Sequence, residues 1–183
     1  MSAFAVCLFC GSRNGASPAY AGAAEDFGQG LARLGMDLVY GGGDVGLMGI
    51  AAGAAAAAGG RVTGFIPRRL LERERAKRDI ARLVVTETMF ERKARMIERG
   101  DAFVALPGGL GTLDEVLEVV TLRQLGYHDK PILLVDTDGY WGPFLALYGA
   151  VIRQGLAAPS ASDLLAAVPD VAAALARLEA VRG

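Results

Sequence analysis

Leu106-Pro107-Gly108-Gly109-Leu110-Gly111-Thr112-Leu113-Asp114-Glu115 joins two stretches of different period. Residues 101–106, Asp-Ala-Phe-Val-Ala-Leu, form a short apolar run of the kind a buried strand shows. Residues 113–125 carry their apolar side chains at helical spacing. A glycine-rich hinge between a buried strand and a helix is the repeating unit of parallel α/β sheets. It also leaves the first N–H groups of the helix without partners, facing whatever lies beyond the strand end.

The same alternation runs outward in both directions. Strand-like runs cover 3–10, 36–40, 61–66, 83–87, 101–106 and 131–136. Helical runs cover 18–34, 47–58, 89–99, 113–125, 141–154 and 169–178, and residues 160–162 are placed to cap a short segment at 163–168. The 47–58 run is rich in alanine, so it must pack closely on its neighbours. Right-handed crossovers then put helices on both faces of a doubly wound parallel sheet, expected as one domain over 1–183. Ligands of such sheets bind beyond the carboxyl ends of the strands.

Composition narrows the chemistry. Glycine supplies 25 of 183 residues without a Gly-X-Y period, and 52% of residues are hydrophobic, enough for a buried core. Nineteen Lys and Arg nearly cancel twenty Asp and Glu, which argues against nucleic acid as the main partner. His128 is the single histidine, and Cys7 and Cys10 are the two cysteines, so the usual zinc ligand sets are short of ligands. Any Ser-His-Asp or Cys-His arrangement would have to use His128. The Cys7-x-x-Cys10 spacing falls within one strand and reads as two small, reduced strand residues. Residues 1–10 lack the basic start of a secretory signal, and the apolar stretch 50–58 is too short to span a bilayer, so a cytoplasmic, membrane-free protein is expected. The charged stretch 68–79 reads as a solvated helix or loop, or as a lid that seeks phosphate.

Four motifs follow strands or open helices. Cys10-Gly11-Ser12-Arg13 offers a sharp turn, a hydroxyl and a cation after the first strand. Residues 40–49, Tyr-Gly-Gly-Gly-Asp-Val-Gly-Leu-Met-Gly, let backbone approach a ligand ahead of a helix N-terminus. Their G-x-G-x-x-G match is superficial, because the next strand ends in Phe65-Ile66-Pro67 and not in the acid that NAD binding needs. In the third motif, free N–H groups of Gly109, Gly111 and Thr112 make a phosphate cradle; no Lys-Ser/Thr pair follows Gly111, so it is not a Walker A loop. Thr112 and Glu115 also fit a helix capping box. The fourth, Met89-Phe90-Glu91-Arg92-Lys93-Ala94-Arg95-Met96, puts Met89, Lys93 and Met96 on one helix face and Arg92, Arg95 and Arg99 on another. Its plain reading is a charged outer face with pairs such as Glu91 and Arg95.

Together the third and fourth motifs resemble the LONELY GUY (LOG) family, long mislabelled "lysine decarboxylases". Its P-G-G-x-G-T-x-x-E and M-x-x-R-K marks correspond to 107–115 and 89–93. The Gly11-Ser12 and 41–49 loops and the order of elements are similar too, over nearly the whole chain. The resemblance implies a Rossmann-like fold and a cytokinin riboside 5′-monophosphate phosphoribohydrolase. Such enzymes cleave the N-glycosidic bond of purine nucleoside monophosphates, AMP often included, to free base and ribose 5-phosphate. It implies Arg92 and Glu115 as catalytic residues and Gly108, Gly109, Gly111 and Thr112 at the 5′-phosphate, with Lys93 adding charge. Gly11, Ser12, Gly43, Met48 and Met89 would line the substrate site. No metal or cofactor is implied, and a homodimer is, with the 89–99 region near the partner. Phe90 departs from the family's frequent M-H-x-R-K and puts base-side contacts in question.

Two other functions compete with this one. A non-catalytic nucleotide carrier or sensor would share the fold without turnover. A true lysine decarboxylase would need pyridoxal phosphate on a Schiff-base lysine, and Lys77, Lys93 and Lys130 sit in no recognisable cofactor motif.

Overall fold

The computed structural model describes residues 3–71, 76, 79, 80 and 82–183. The strands are β1 (Ala5–Phe9), β2 (Asp37–Tyr40), β3 (Val62–Pro67), β4 (Arg82–Thr86), β5 (Ala102–Ala105), β6 (Ile132–Val135) and β7 (Ala166–Val168). The helices are α1 (Pro18–Arg33), α2 (Gly46–Ala57), α3 (Met89–Arg99), α4 (Leu110–Gln124), α5 (Gly142–Arg153) and α6 (Val171–Arg182). The strands form one sheet in the order β4-β3-β2-β1-β5-β6-β7. Every neighbouring pair is parallel, as in the pairing of Val6 with Leu38 on one side and with Ala102 on the other. The doubly wound Rossmann-like fold expected from the alternation is the fold observed.

The period of two in β1 divides the core. Val6 and Leu8 point to one face, where they join Phe27 and Leu31 of α1, Ala51 and Ala55 of α2 and Ala174 and Leu178 of α6. Ala5, Cys7 and Phe9 point to the other, with Met96 of α3, Val116 and Val119 of α4 and Trp141 at the entry to α5. Both faces are covered, so the central strands are apolar throughout, as parallel strands must be. The close packing expected of α2 is seen in Ala51, Ala52 and Ala55, each at most 1% exposed. Cys7 and Cys10 fall in opposite cores, both buried and unbridged, which excludes a redox pair between them.

Two local differences from the expected elements have physical causes. The segment at 163–168 is a short 3₁₀ turn, Pro159–Asp163, followed by the edge strand β7. Alanine carries little strand propensity, and Ala166 is held there by pairing with Leu133. Helix α4 begins three residues early, at Leu110, with Gly109 as a cap that has no side chain to offer. Half of the charged stretch expected at 68–79, residues 72–75, 77 and 78, lies outside the described residues. Within the described part, Arg68–Leu70 is a 3₁₀ turn, and Arg68 pairs with Glu87 at 2.9 Å.

Candidate active site

The strand order reverses between β1 and β5. The chain leaves β1 for α1 on one face and leaves β5 for α4 on the other, so a crevice opens beyond these two strand ends. The loop after β1 and the loop after β5 meet there: the Gly11 N–H donates to the Pro107 carbonyl at 3.1 Å. Two adjoining hollows occupy the crevice. One is a cleft of about 490 Å³ bordered by Gly11–Gly15, Tyr20, Leu47, Pro107–Leu110 and Tyr140. The other is a smaller, more polar pocket of about 160 Å³ bordered by Cys10, Ser12, Met48, Arg92, Gly109–Thr112 and Glu115. Ser12, Gly109 and Leu110 border both.

The small pocket thus gathers Arg92 from α3 and Thr112 and Glu115 from α4. Arg92 arrives as a buried side chain, 6% exposed. Its Nε donates to the Phe65 carbonyl in β3, and its Nη2 donates to the Gly41 carbonyl just past β2, both at 3.1 Å. Nη1 lies 3.4 Å from the Met89 sulfur. A guanidinium in this setting spans two strand ends and is fixed by neutral acceptors. The charged-outer-face reading of the helix is therefore wrong for Arg92, while Glu91 and Arg95 do pair at 2.8 Å on its exposed side.

The capping-box reading of Thr112 and Glu115 is also overturned. The T-x-x-E pattern occurs at 88–91 as well as at 112–115. The chain caps a helix with the first of these. Thr88 Oγ1 accepts from the Glu91 N–H at 3.0 Å, and the Glu91 carboxylate accepts from the Glu87 N–H at 2.8 Å. Thr112 instead lies inside the first turn of α4, 4% exposed, and Glu115 one turn further on. The unpartnered N–H groups at the start of α4 belong to this turn, where the helix dipole favours an anion. The charges of Glu115 and Arg92 both reach Cys10: burial first, and Glu115 second, push its thiol well above the ordinary thiol range, while Arg92 pulls the other way.

The remaining expected site residues divide as follows. Gly11, Ser12, Gly108 and Gly109 border the larger cleft; Ser12, Met48, Gly109, Gly111 and Thr112 border the small pocket. Gly43, Met89 and Lys93 border neither. Gly43 forms a backbone bridge with Ala76, and Met89 backs Arg92. Lys93 Nζ is held at 2.9 Å by both Asp114 and Glu118, which ties α3 to α4. Burial lowers the affinity of this ammonium for its proton, but the bonds to Glu118 and Asp114 outweigh that and raise its pKa overall. Phe90 is 80% exposed and borders neither hollow. Tyr20 and Tyr140, which wall the larger cleft edge to face at 5.9 Å, belong to none of the four motifs. A signal existed: Tyr140 follows β6, the strand beside β5, on the ligand side of the sheet.

Fold and site together define a Rossmann-like α/β protein with a buried arginine and a carboxylate converging on the switch point of its sheet. Residues 48–178 match the family model described as "possible lysine decarboxylase". The chain is 41% identical over 174 residues to cytokinin riboside 5′-monophosphate phosphoribohydrolase LOG3 of Arabidopsis thaliana, covering 95% of this chain and 81% of that one. It is 41% identical over 174 residues to cytokinin riboside 5′-monophosphate phosphoribohydrolase LOG of Oryza sativa subsp. japonica, covering 95% of this chain and 72% of that one. The chain belongs to this LOG family. In solved structures, the molybdenum cofactor binding protein of Rippkaea orientalis superposes with a TM-score of 0.75 at 22% identity, over 100% of this chain and 99% of that one. The molybdenum cofactor carrier protein of Chlamydomonas reinhardtii gives 0.76 at 21%, over 98% of each. These likenesses are of fold. Among the described residues no helix is long and apolar enough to cross a membrane.

Proposed function

We propose that the protein hydrolyses the N-glycosidic bond of purine nucleoside 5′-monophosphates, N6-modified adenine nucleotides or AMP, to free base and ribose 5-phosphate. The observation that carries this reading is the convergence of Arg92, Thr112 and Glu115 on one pocket at the start of α4. The names of its relatives point the same way.

The chemistry assigned to each group is simple. The first turn of α4, from Gly109 to Thr112, takes the 5′-phosphate, whose charge matches the helix dipole and the unpartnered N–H groups. Glu115, one turn along the same helix, meets the ribose. As the C1′–N bond breaks, positive charge develops on the sugar ring, as in other glycoside hydrolyses, and a carboxylate beside it lowers that barrier. The same carboxylate orients the water that adds to C1′ and takes its proton. The departing purine leaves with the bond's electron pair and gains a proton. Arg92, whose guanidinium is fixed by backbone carbonyls, supplies positive charge to the phosphate or the leaving base. The reaction is a redox-neutral hydrolysis, and the proposed mechanism calls on no metal or cofactor.

We further propose a homodimer and a cytoplasmic location. Phe90 on α3 and Leu110 and Leu117 on α4 are 80%, 86% and 48% exposed, large apolar side chains of the sort a second subunit covers. A monomer mass by light scattering at micromolar concentration would rule the dimer out.

The test of the function is incubation with AMP, GMP, CMP and N6-isopentenyl AMP, with free base measured chromatographically. Release of base from the purine nucleotides supports the reading. Calorimetric binding of AMP with no base released over hours would make the protein a nucleotide carrier instead.

A further inference from the structure

The loop that cradles the proposed phosphate is held from both sides. Pro107 and Gly108 follow β5, and β5 lies between β1 and β6 in the sheet. From the β1 side, the Gly11 N–H takes the Pro107 carbonyl at 3.1 Å. From the β6 side, the Tyr140 hydroxyl donates to the Gly108 carbonyl. Two consecutive peptide planes are therefore pinned by different loops.

The second pin has a consequence for the pocket. No described peptide bond is cis, so the Gly108 carbonyl and the Gly109 N–H point in opposite directions. Gly109 has no side-chain cap of its own and stands at the head of α4. We infer that Tyr140 is a positioning residue: by fixing the Gly108 carbonyl it turns the Gly109 N–H away from itself, to the side where Ser12, Thr112 and Glu115 border the small pocket. A phenol bonded to the carbonyl also polarises the peptide, which makes the N–H on its far side a better donor.

The surroundings of Tyr140 are built for this. Its ring packs edge to face on Tyr20 at 5.9 Å and on Trp141 at 5.1 Å. The Trp141 N–H donates to Asp136 at 2.7 Å, and Ser17 Oγ donates to Asp138 at 2.5 Å, which ties the turn before Tyr140 to the start of α1. At the other end of the contact, a methyl group on Gly108 would collide with the Thr112 side chain. Tyrosine, glycine and threonine thus fix one another around a single peptide plane.

This rests on the proposed function only in that the pocket takes a phosphate. The test is Tyr140→Phe, which keeps both ring contacts and removes the hydroxyl. The dissociation constant for ribose 5-phosphate, read by calorimetry, rises about tenfold. The KM for AMP rises with it, while kcat falls less than the KM rises. Tyr148→Phe removes a comparable hydroxyl-to-carbonyl bond, to Ala161 at 2.7 Å, away from the loop after β5, and leaves ribose 5-phosphate binding within about twofold of wild type. A merely structural role would weaken binding in both variants. In the unaltered protein, the Gly109 amide resonance moves downfield as ribose 5-phosphate is added, a measurement that does not depend on either variant folding. Unchanged binding in Tyr140→Phe, or a Gly109 amide that does not move, overturns the inference. If the unaltered protein releases base while either of those holds, the inference alone fails. If it neither binds ribose 5-phosphate nor releases base, the functional reading fails as well.

Discussion

The Arg92 guanidinium occupies space that exists because residue 41 is glycine. Nη2 donates to the Gly41 carbonyl at 3.1 Å, and a methyl group built on Gly41 would strike the same nitrogen. Arg92 is buried, so it cannot swing into solvent to escape. Gly41→Ala is therefore expected to displace the guanidinium while leaving the sheet formed. Base release should fall about 100-fold, the order of loss that a misplacement near 1 Å produces, with the far-ultraviolet circular dichroism unchanged. Full activity in Gly41→Ala would show that Arg92 can act from another position.

Lys93 is expected to behave as a tie between helices. Its ammonium meets Asp114 and Glu118, with 10% of the lysine side chain exposed and 33% of Glu118. Lys93→Met removes charge-assisted hydrogen bonds and should cost about 1.5–3 kcal/mol of stability, read from urea unfolding. A double-mutant cycle with Glu118→Gln should show coupling of at least about 0.5 kcal/mol. Additive effects would mean the pair contributes nothing of its own.

The legible part of this molecule is the part written in short-range periodicity. Six of the strands and all six helices follow from runs of apolar residues, because a strand buried on both faces, as β1 and β6 are, has little choice of side chain. β7 escaped because its three residues, Ala-Ala-Val, are placed by their neighbour β6. Arg92 and Glu115 could be picked out by family pattern, but their environments could not be read. Arg92 sits in a charge-rich stretch whose local pattern suggests a solvated face, and its burial comes from carbonyls 27 and 51 residues away in sequence. The two T-x-x-E patterns are equivalent in sequence. Only the earlier start of α4, at Leu110, decides that 88–91 caps a helix and 112–115 does not.

His128 should make stability fall in acid. Its Nε2 faces the Val119 carbonyl at 3.0 Å and so carries the proton, while Nδ1 is buried without a partner among the described residues. Burial, the main cause, and the nearby Lys130 and Arg123 hold its pKa below 6.5, against the opposing hydrogen bond to Val119. The unfolded chain then binds the proton more readily than the folded one. Stability is fully present above the unfolded value, declines as pH drops through about 6.5, and levels off below the folded value. Urea unfolding at pH 7.5 and pH 5 checks this, with His128→Gln expected to remove part of the difference. An identical pH dependence in that variant would assign the effect to other groups.

The two cysteines should be inert in the folded protein. Burial, followed by the Glu115 charge, raises both thiols above their ordinary range, and neither is more than 7% exposed. Thiolates are the reactive form, so Ellman's reagent should label neither until urea unfolds the chain. Rapid labelling under native conditions would mean that the β1 end opens readily.

We propose that Glu115 and Arg92 act together on a purine nucleotide in the small pocket at the head of α4. The most direct measurement is the release of free base and ribose 5-phosphate from AMP and from N6-isopentenyl AMP by the unaltered protein and by Glu115→Gln. Equimolar base and ribose 5-phosphate from the unaltered protein, with a loss of at least about 1000-fold in Glu115→Gln, is the expected result. Comparable release by Glu115→Gln, or none from any purine nucleotide by the unaltered protein, would contradict it.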